Sequence, residues 1–277
     1  MVDTLELLFK LNGQRIIVTG ASGLLGAQHA EAIAAFGGRP VLLDIDEPGL
    51  ERLASSLQDR FQIEVERYVV DITDEDSVTR AAQSIRSIAD DLYGLINNAA
   101  VNPKVESNDA VQFSRLENFP LEQWNFEISV SLGGAFLCAK HFGQHIAESG
   151  GGAILNISSD LGVIAPDQRL YRKPGLPDHL QPVKPVTYSV IKSGLIGLTR
   201  YLSTYWPDRN VRCNTLCPGG VYAGQDEVFL NELTSRIPMG RMADTNEYQG
   251  AIVFMMSQAS AYMNGATINM DGGRSVW

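Results

Sequence analysis

Short runs of β-branched and apolar residues recur along the chain: residues 15–19 (RIIVT), 40–44 (PVLLD), 67–71 (RYVVD), 93–97 (YGLIN), 153–158 (AILNIS), 211–218 (VRCNTLCP) and 267–271 (TINMD). Several are apolar throughout instead of alternating, as strands covered on both faces are. Between them lie stretches of helical period near 24–36, 48–58, 74–89, 121–148, 188–205 and 246–257. Strand and helix alternate from end to end. The pattern predicts an α/β fold, one doubly wound parallel sheet of seven strands with helices on both faces, built as a single domain over residues 1–277.

One segment breaks the pattern. Between Gly162 and Thr187, GVIAPDQRLYRKPGLPDHLQPVKPVT holds five of the chain's 12 prolines and fits neither period. Its four basic residues (Arg169, Arg172, Lys173 and Lys184) outnumber its two acids (Asp167 and Asp178). It reads as a rigid basic rim.

Composition narrows the function. With 22 Lys and Arg against 32 Asp and Glu, the formal charge is −10, so binding to nucleic acid or an acidic membrane over the general surface is not expected. At 44% hydrophobic and 19% charged, the chain is globular. Its first ten residues carry Asp3 and Glu6 where a secretory leader would be basic, and no apolar run reaches membrane-spanning length. A soluble, cytoplasmic protein is the expectation. Cys138, Cys213 and Cys217 are too few for a disulfide framework and fit a reduced compartment, and His29, His141, His145 and His179 lack metal-ligand spacing, so no metal is expected.

Candidate chemistry begins at the first turn. Residues 15–19 run into TGASGLLG, Thr19 to Gly26, and a helix follows at once. Glycines here let the backbone approach a pyrophosphate, and the free N–H groups of the helix N-terminus attract it. Gly20, Ser22, Gly23, Leu24, Leu25 and Gly26 are the candidate cofactor residues of this turn; an ordinary strand-to-helix turn is the other reading. The second strand ends on Asp44, whose carboxylate would accept both ribose hydroxyls of the adenosine and repel a 2′-phosphate, favouring NAD over NADP. As a plain strand-end residue it would do neither. Further along, Tyr188 and Lys192 stand four apart in YSVIK, on one face of a helix. A nearby ammonium lowers a phenol's pKa toward neutrality, as an acid/base for alcohol–carbonyl interconversion requires.

TGASGLLG, NNAA (97–100), NISS (156–159), YSVIK, CNTLCPGG (213–220), IPMGRMAD (237–244) and a terminal MDGG stand in the order of the short-chain dehydrogenases/reductases, which the whole chain resembles. The resemblance implies a Rossmann fold and reversible hydride transfer between a nicotinamide and an alcohol or carbonyl carbon. It implies Tyr188 as the acid/base and Ser159 as the hydrogen-bonding partner of the reacting oxygen. Lys192 would hold the nicotinamide ribose and depress the phenol pKa. Asp71 and Ile72 would border the adenine, Asn98 and Ala99 the cofactor, and Pro218, Gly219 and Val221 the nicotinamide. For Asp71 and Asn98, sheet-end hydrogen bonding without ligand contact is the alternative. A homodimer or homotetramer is also implied, and the helix carrying Trp124, Phe126, Phe136 and Phe142 is read as core and oligomer contact.

Three features depart from the family pattern. Leu24 replaces a glycine of the turn. Ser131 stands where many members place a relay asparagine, and is equally readable as a small packing residue. Ser159 and Tyr188 are 29 positions apart, a surplus explained by the proline-rich segment as an insertion at about 162–187 over the active site. Tyr171 is the rival acid/base, but Gly175 occupies the place of its lysine partner. Because Arg and Lys recognise phosphate and carboxylate, Arg169, Arg172 and Lys173 suggest an anionic small-molecule substrate, such as a sugar or nucleotide sugar. The insertion, together with YSVIKSGLIGLTRYL (188–202) and NTLCPGGV (214–221), also resembles oxidoreductases of bacterial flagellin modification and nonulosonic-acid pathways. A 3-oxoacyl or small-polyol reductase is the alternative, and a dinucleotide-binding regulatory protein that has lost catalysis is a second.

Overall fold

The computed structural model describes residues 4–101 and 114–277. Seven strands, β1 (Arg15–Thr19), β2 (Arg39–Asp44), β3 (Glu66–Val69), β4 (Leu92–Asn97), β5 (Gly152–Ile157), β6 (Val211–Pro218) and β7 (Thr267–Met270), form one sheet in the order 3-2-1-4-5-6-7. Every pairing is parallel. Among the described residues, eight helices longer than a 3₁₀ turn accompany them: α1 (Thr4–Phe9), α2 (Leu24–Ala35), α3 (Glu47–Phe61), α4 (Glu75–Ile88), a continuous helix α5 over 121–148, α6 (Val186–Ser203), α7 (Glu227–Thr234) and α8 (Gln249–Met256).

Both faces of the sheet are covered, and alternation along each strand divides the core in two. Ile16 and Val18 of β1, with Leu42, Ile96 and Leu155, pack under α2, α3 and α8. Ile17, with Val41, Leu95 and Ile154, packs under α4, α5 and the end of α6. The uniformly apolar strand runs therefore have this cause: β1, β5 and β6 are buried along their whole length.

Two departures from the sequence reading go beyond small shifts of element ends. β3 stops at Val69, before the expected residue 71, because the Asp71 carboxylate accepts from the Thr73 N–H (2.9 Å) and hydroxyl (2.7 Å) and turns the chain. Helix α5 widens into π-type turns at Ser129–Gly133 and Ala139–Gly143, which period counting does not reveal. The proline-rich segment contains short 3₁₀ turns and is anchored: its Leu170 packs with Leu233, Ile237 and Met242 at the end of α7 and just beyond. Among the described residues no helix is long and apolar enough to cross a membrane, and no group of three or more His, Cys, Asp or Glu could hold a metal ion.

Candidate active site

The sheet order reverses between β1 and β4, and the strand ends there open onto a cavity of about 820 Å³. A parallel sheet splays its connections to opposite faces at such a point, which is why ligands of this architecture bind there. Its floor is cross-linked by polar side chains. The Asn97 amide donates to Asn156 (2.8 Å), Asn156 to Thr199 (2.8 Å) and Thr215 to Thr199 (2.7 Å), tying β4, β5, β6 and α6 together. The Asn98 amide donates to the Thr19 and Gly20 carbonyls (3.0 and 3.1 Å), holding the first turn against β4.

At one end of the cavity lie Gly20, Ser22, Gly23, Leu24 and Leu25. Gly20 has φ +62°, and a Cβ there would come within 2.8 Å of the Ala99 Cα. Gly26 does not line the cavity; it lets α2 pack on the turn, since its Cβ would fall 2.1 Å from the Gly20 carbonyl. Gly23 caps α2 with no side-chain hydrogen bond, leaving the first N–H groups open to the cavity. Leu24 begins the helix and is half exposed where it borders the cavity. The Asp44 carboxylate accepts from the backbone of Ser22 (2.9 Å), Ile45 (2.7 Å) and Asp46 (3.1 Å) and borders the cavity. Asp71, Ile72, Asn98 and Ala99 border it too, as do Pro218, Gly219 and Val221 on the far side.

The other end brings Ser159, Tyr188 and Lys192 together. Ser159 follows β5, and its hydroxyl donates to the Asp160 carboxylate (2.7 Å), whose other oxygen accepts from Arg274 (2.6 Å) in a buried ion pair. The Lys192 ammonium donates to the Ile157 carbonyl (3.0 Å), and burial lowers its pKa to about 8. The expectation that Lys192 brings the Tyr188 phenol toward neutrality is not met in this state. Burial pushes the phenol above its ordinary value, and the Ser159 hydroxyl pulls it partly back. Lys192 is itself desolvated, and its Nζ lies 5.7 Å from the ring centre.

Ser131 is buried in the first π turn and does not line the cavity, where Phe126 and Val130 stand instead. Nor does the structure bring Arg169, Arg172 or Lys173 to it. All three are exposed: Arg169 is bound to Asp167 (2.8 Å), Arg172 lies 3.7 Å from Asp178, and Lys173 faces outward. Asp167 takes its second cation, Arg236, from beyond α7, so the charge of this stretch fastens the insertion down. The cations that do line the cavity are Lys184, Lys192 and Arg274. Tyr171, the rival acid/base, also lines it, with burial lifting its phenol to about 12.

Residues 14–171 match the family model described as short chain dehydrogenase, and residues 180–275 one described as enoyl-(acyl carrier protein) reductase. The chain belongs to the short-chain dehydrogenases. It is 31% identical to a D-threitol dehydrogenase of Mycolicibacterium smegmatis over 97% of this chain and 95% of that one. It is 29% identical to a gluconate 5-dehydrogenase of Gluconobacter oxydans over 97% of each. A gluconate 5-dehydrogenase from Burkholderia cenocepacia, solved with NADP and tartrate, superposes with a TM-score of 0.85 at 25% identity, covering 98% of this chain and 99% of that chain.

A nicotinamide dinucleotide fits what this short-chain dehydrogenase offers: an uncapped helix N-terminus for a pyrophosphate, a carboxylate at the end of β2 for a ribose, and the phenol and ammonium at the opposite end. Sequence reasoning passed over Asp160, Arg274 and Lys184 as site residues. Lys184 was legible only as charge, and the Asp160–Arg274 pair spans 114 positions with no local pattern to announce it.

Proposed function

We propose that this short-chain dehydrogenase is an NAD-dependent oxidoreductase of open-chain polyols, sugars and sugar acids, interconverting a secondary alcohol and a ketone. The convergence of Ser159, Tyr188 and Lys192 at the cavity end opposite Asp44 is the observation that carries it. When bound, the nicotinamide accepts the hydride in oxidation and supplies it in reduction. Tyr188 takes the hydroxyl proton as the C–H bond breaks and returns it in the reverse direction. The Ser159 hydroxyl orients the reacting oxygen. Lys192, held by the Ile157 carbonyl, presents its charge to the ribose side of the site.

The choice of NAD rests on Asp44, whose charge beside the turn would repel a 2′-phosphate; the NADP of the Burkholderia structure is the contrary precedent. Relatives acting on threitol, galactitol and gluconate support the substrate class. Nucleotide-activated sugars are a second reading, supported by the insertion packed on α7 beside the cavity. The homo-oligomer is a proposal of the same kind, supported by Phe136, Tyr201 and Tyr205, each more than half exposed on α5 or just at and beyond α6. A panel of polyols, sugar acids, nucleotide sugars and 3-oxoacyl thioesters, followed by NADH absorbance with both cofactors, tests the reading. Polyol or sugar turnover with NAD is expected. Cofactor binding with no turnover across the panel would leave a binding protein instead.

A further inference from the structure

We propose that Lys184 is the residue that selects substrate in this site, and that it does so by pairing with a carboxylate, so that the preferred substrate is an open-chain sugar acid and not the neutral polyol. The proposal rests on the oxidoreductase reading above and names its substrate class. Lys184 lies in the insertion four residues before Tyr188, lines the cavity, and holds its Nζ 3.8 Å above the Tyr188 ring centre, nearer than Lys192. Its backbone is fixed: the Lys184 N–H donates to the Gln168 side chain (2.8 Å), and Pro185 follows.

The surrounding charges leave this ammonium available. Among the described residues, Asp160 is the carboxylate that lines this end of the cavity, and it is consumed by Arg274 at 2.6 Å. Glu127 of α5 is buried and accepts from Gln123 (2.7 Å) and from the Thr187 hydroxyl. Lys192 of α6 is held by the Ile157 carbonyl. Among the described residues no carboxylate lies within salt-bridge distance of Lys184, which is half-buried. A partly desolvated, unpaired ammonium is costly, and a ligand carboxylate relieves that cost. The far end of the cavity carries Asp44, Asp46 and Asp71, so an acid is repelled from there and oriented toward Tyr188. Because Lys184 sits directly on the acid/base, the carboxylate it holds is a few bonds from the reacting carbon. A short sugar acid satisfies that distance.

Burial lowers the Lys184 pKa to about 8, opposed by Asp160 and Glu127 and reinforced by Arg274. It therefore pairs with an anion at neutral pH and releases it as the pH rises past 8. The test compares KM for a six-carbon aldonate and the corresponding hexitol in the wild type, Lys184→Met and Lys184→Arg, with NAD. In Lys184→Met the aldonate KM is expected to rise about tenfold or more relative to the hexitol KM, the loss of one charge-assisted contact. Lys184→Arg is expected to restore most of the difference and to abolish the rise in aldonate KM above pH 8. If Lys184 serves only to cover the Tyr188 ring, both KM values and the kcat change together, and the proposal fails. Should the wild type oxidise neither compound, the polyol and sugar substrate class of the reading above falls separately. Calorimetric titration of the aldonate into NAD-loaded wild type and Lys184→Met then decides Lys184, equal affinities overturning it.

Discussion

The proton on Tyr188 is held chiefly by burial, which keeps it on, against the Ser159 hydroxyl, which eases it off, with Asp160 and Arg274 adding smaller opposed effects. Alcohol oxidation needs the phenolate. Removing the Ser159 hydroxyl raises the phenol pKa further, so in Ser159→Ala the rise of kcat with pH in the oxidation direction is expected to move to higher pH. Tyr188→Phe is expected to lose about 10²- to 10⁴-fold in kcat at every pH, the usual share of general acid–base catalysis. A Ser159→Ala profile that superposes on the wild type after scaling would separate Ser159 from the phenol's titration. Asp44 acts at the other end of the cavity. Its carboxylate accepts the Ile45 and Asp46 N–H groups on one oxygen and the Ser22 N–H on the other, so Asp44→Asn removes the charge and keeps the acceptor for one of these sets only. Fluorescence titration is expected to show weaker NADH binding and gained NADPH binding; unchanged preference would take cofactor choice away from Asp44. These residues were legible because the chemistry is local: Tyr188 and Lys192 share a helix face, and Asp44 ends a strand. Lys184 was not, because only the folded insertion turns its side chain over the ring.

At the scale of elements, the strands were legible within one or two residues, most directly β1, β5 and β6, which are buried along their whole length. What stayed hidden depends on contacts between elements. Asp71 ends β3 through its own side chain, and Ser131 is turned from the cavity on a π turn. Of the basic residues of the insertion, Arg169 is paired off by Asp167, Arg172 and Lys173 face away from the cavity, and Lys184 alone lines it. The Asp160–Arg274 pair belongs to the same group: it clamps the turn after β5, which carries Ser159, to the turn after β7. Cutting a buried pair leaves one charge uncompensated, at a cost of about 3–5 kcal/mol, whereas removing both partners costs less. Arg274→Met and Asp160→Asn are each expected to lower stability in urea by about that amount, with the double variant recovering part of it. Strict additivity in this cycle would show that the two turns are held independently.

Over the whole molecule, acid stability depends on a residue far from any surface. His29 of α2 is fully buried and packed near Asn98, and burial lowers its pKa to about 3 from 6.5, with Asn98 offering slight support to the protonated ring. Neither ring nitrogen makes a hydrogen bond of good geometry. Below pH 6.5 the unfolded chain binds a proton at this position and the native chain does not. Stability must then fall as the pH drops from 6.5 toward 3, and is retained in full above 6.5. The half-exposed or exposed carboxylates with lowered pKa values, such as Asp91 beside Arg15 and Arg39, lose their contribution in a separate, more acidic window below the ordinary carboxylate range. His145, also lowered by burial and by Arg86, likewise contributes a loss of stability that sets in below pH 6.5. A comparison between variants therefore isolates one histidine better than a single pH curve does. Between pH 7.5 and 5.0, His29 is expected to account for about 2 kcal/mol of lost unfolding free energy, one proton across about 1.5 pH units. His29→Leu is expected to change stability at pH 7.5 by its repacking alone and to flatten the decline toward pH 5.0 by that amount. Urea unfolding at the two pH values measures both quantities, and parallel wild-type and variant declines would show that the buried ring carries its proton in the native state after all.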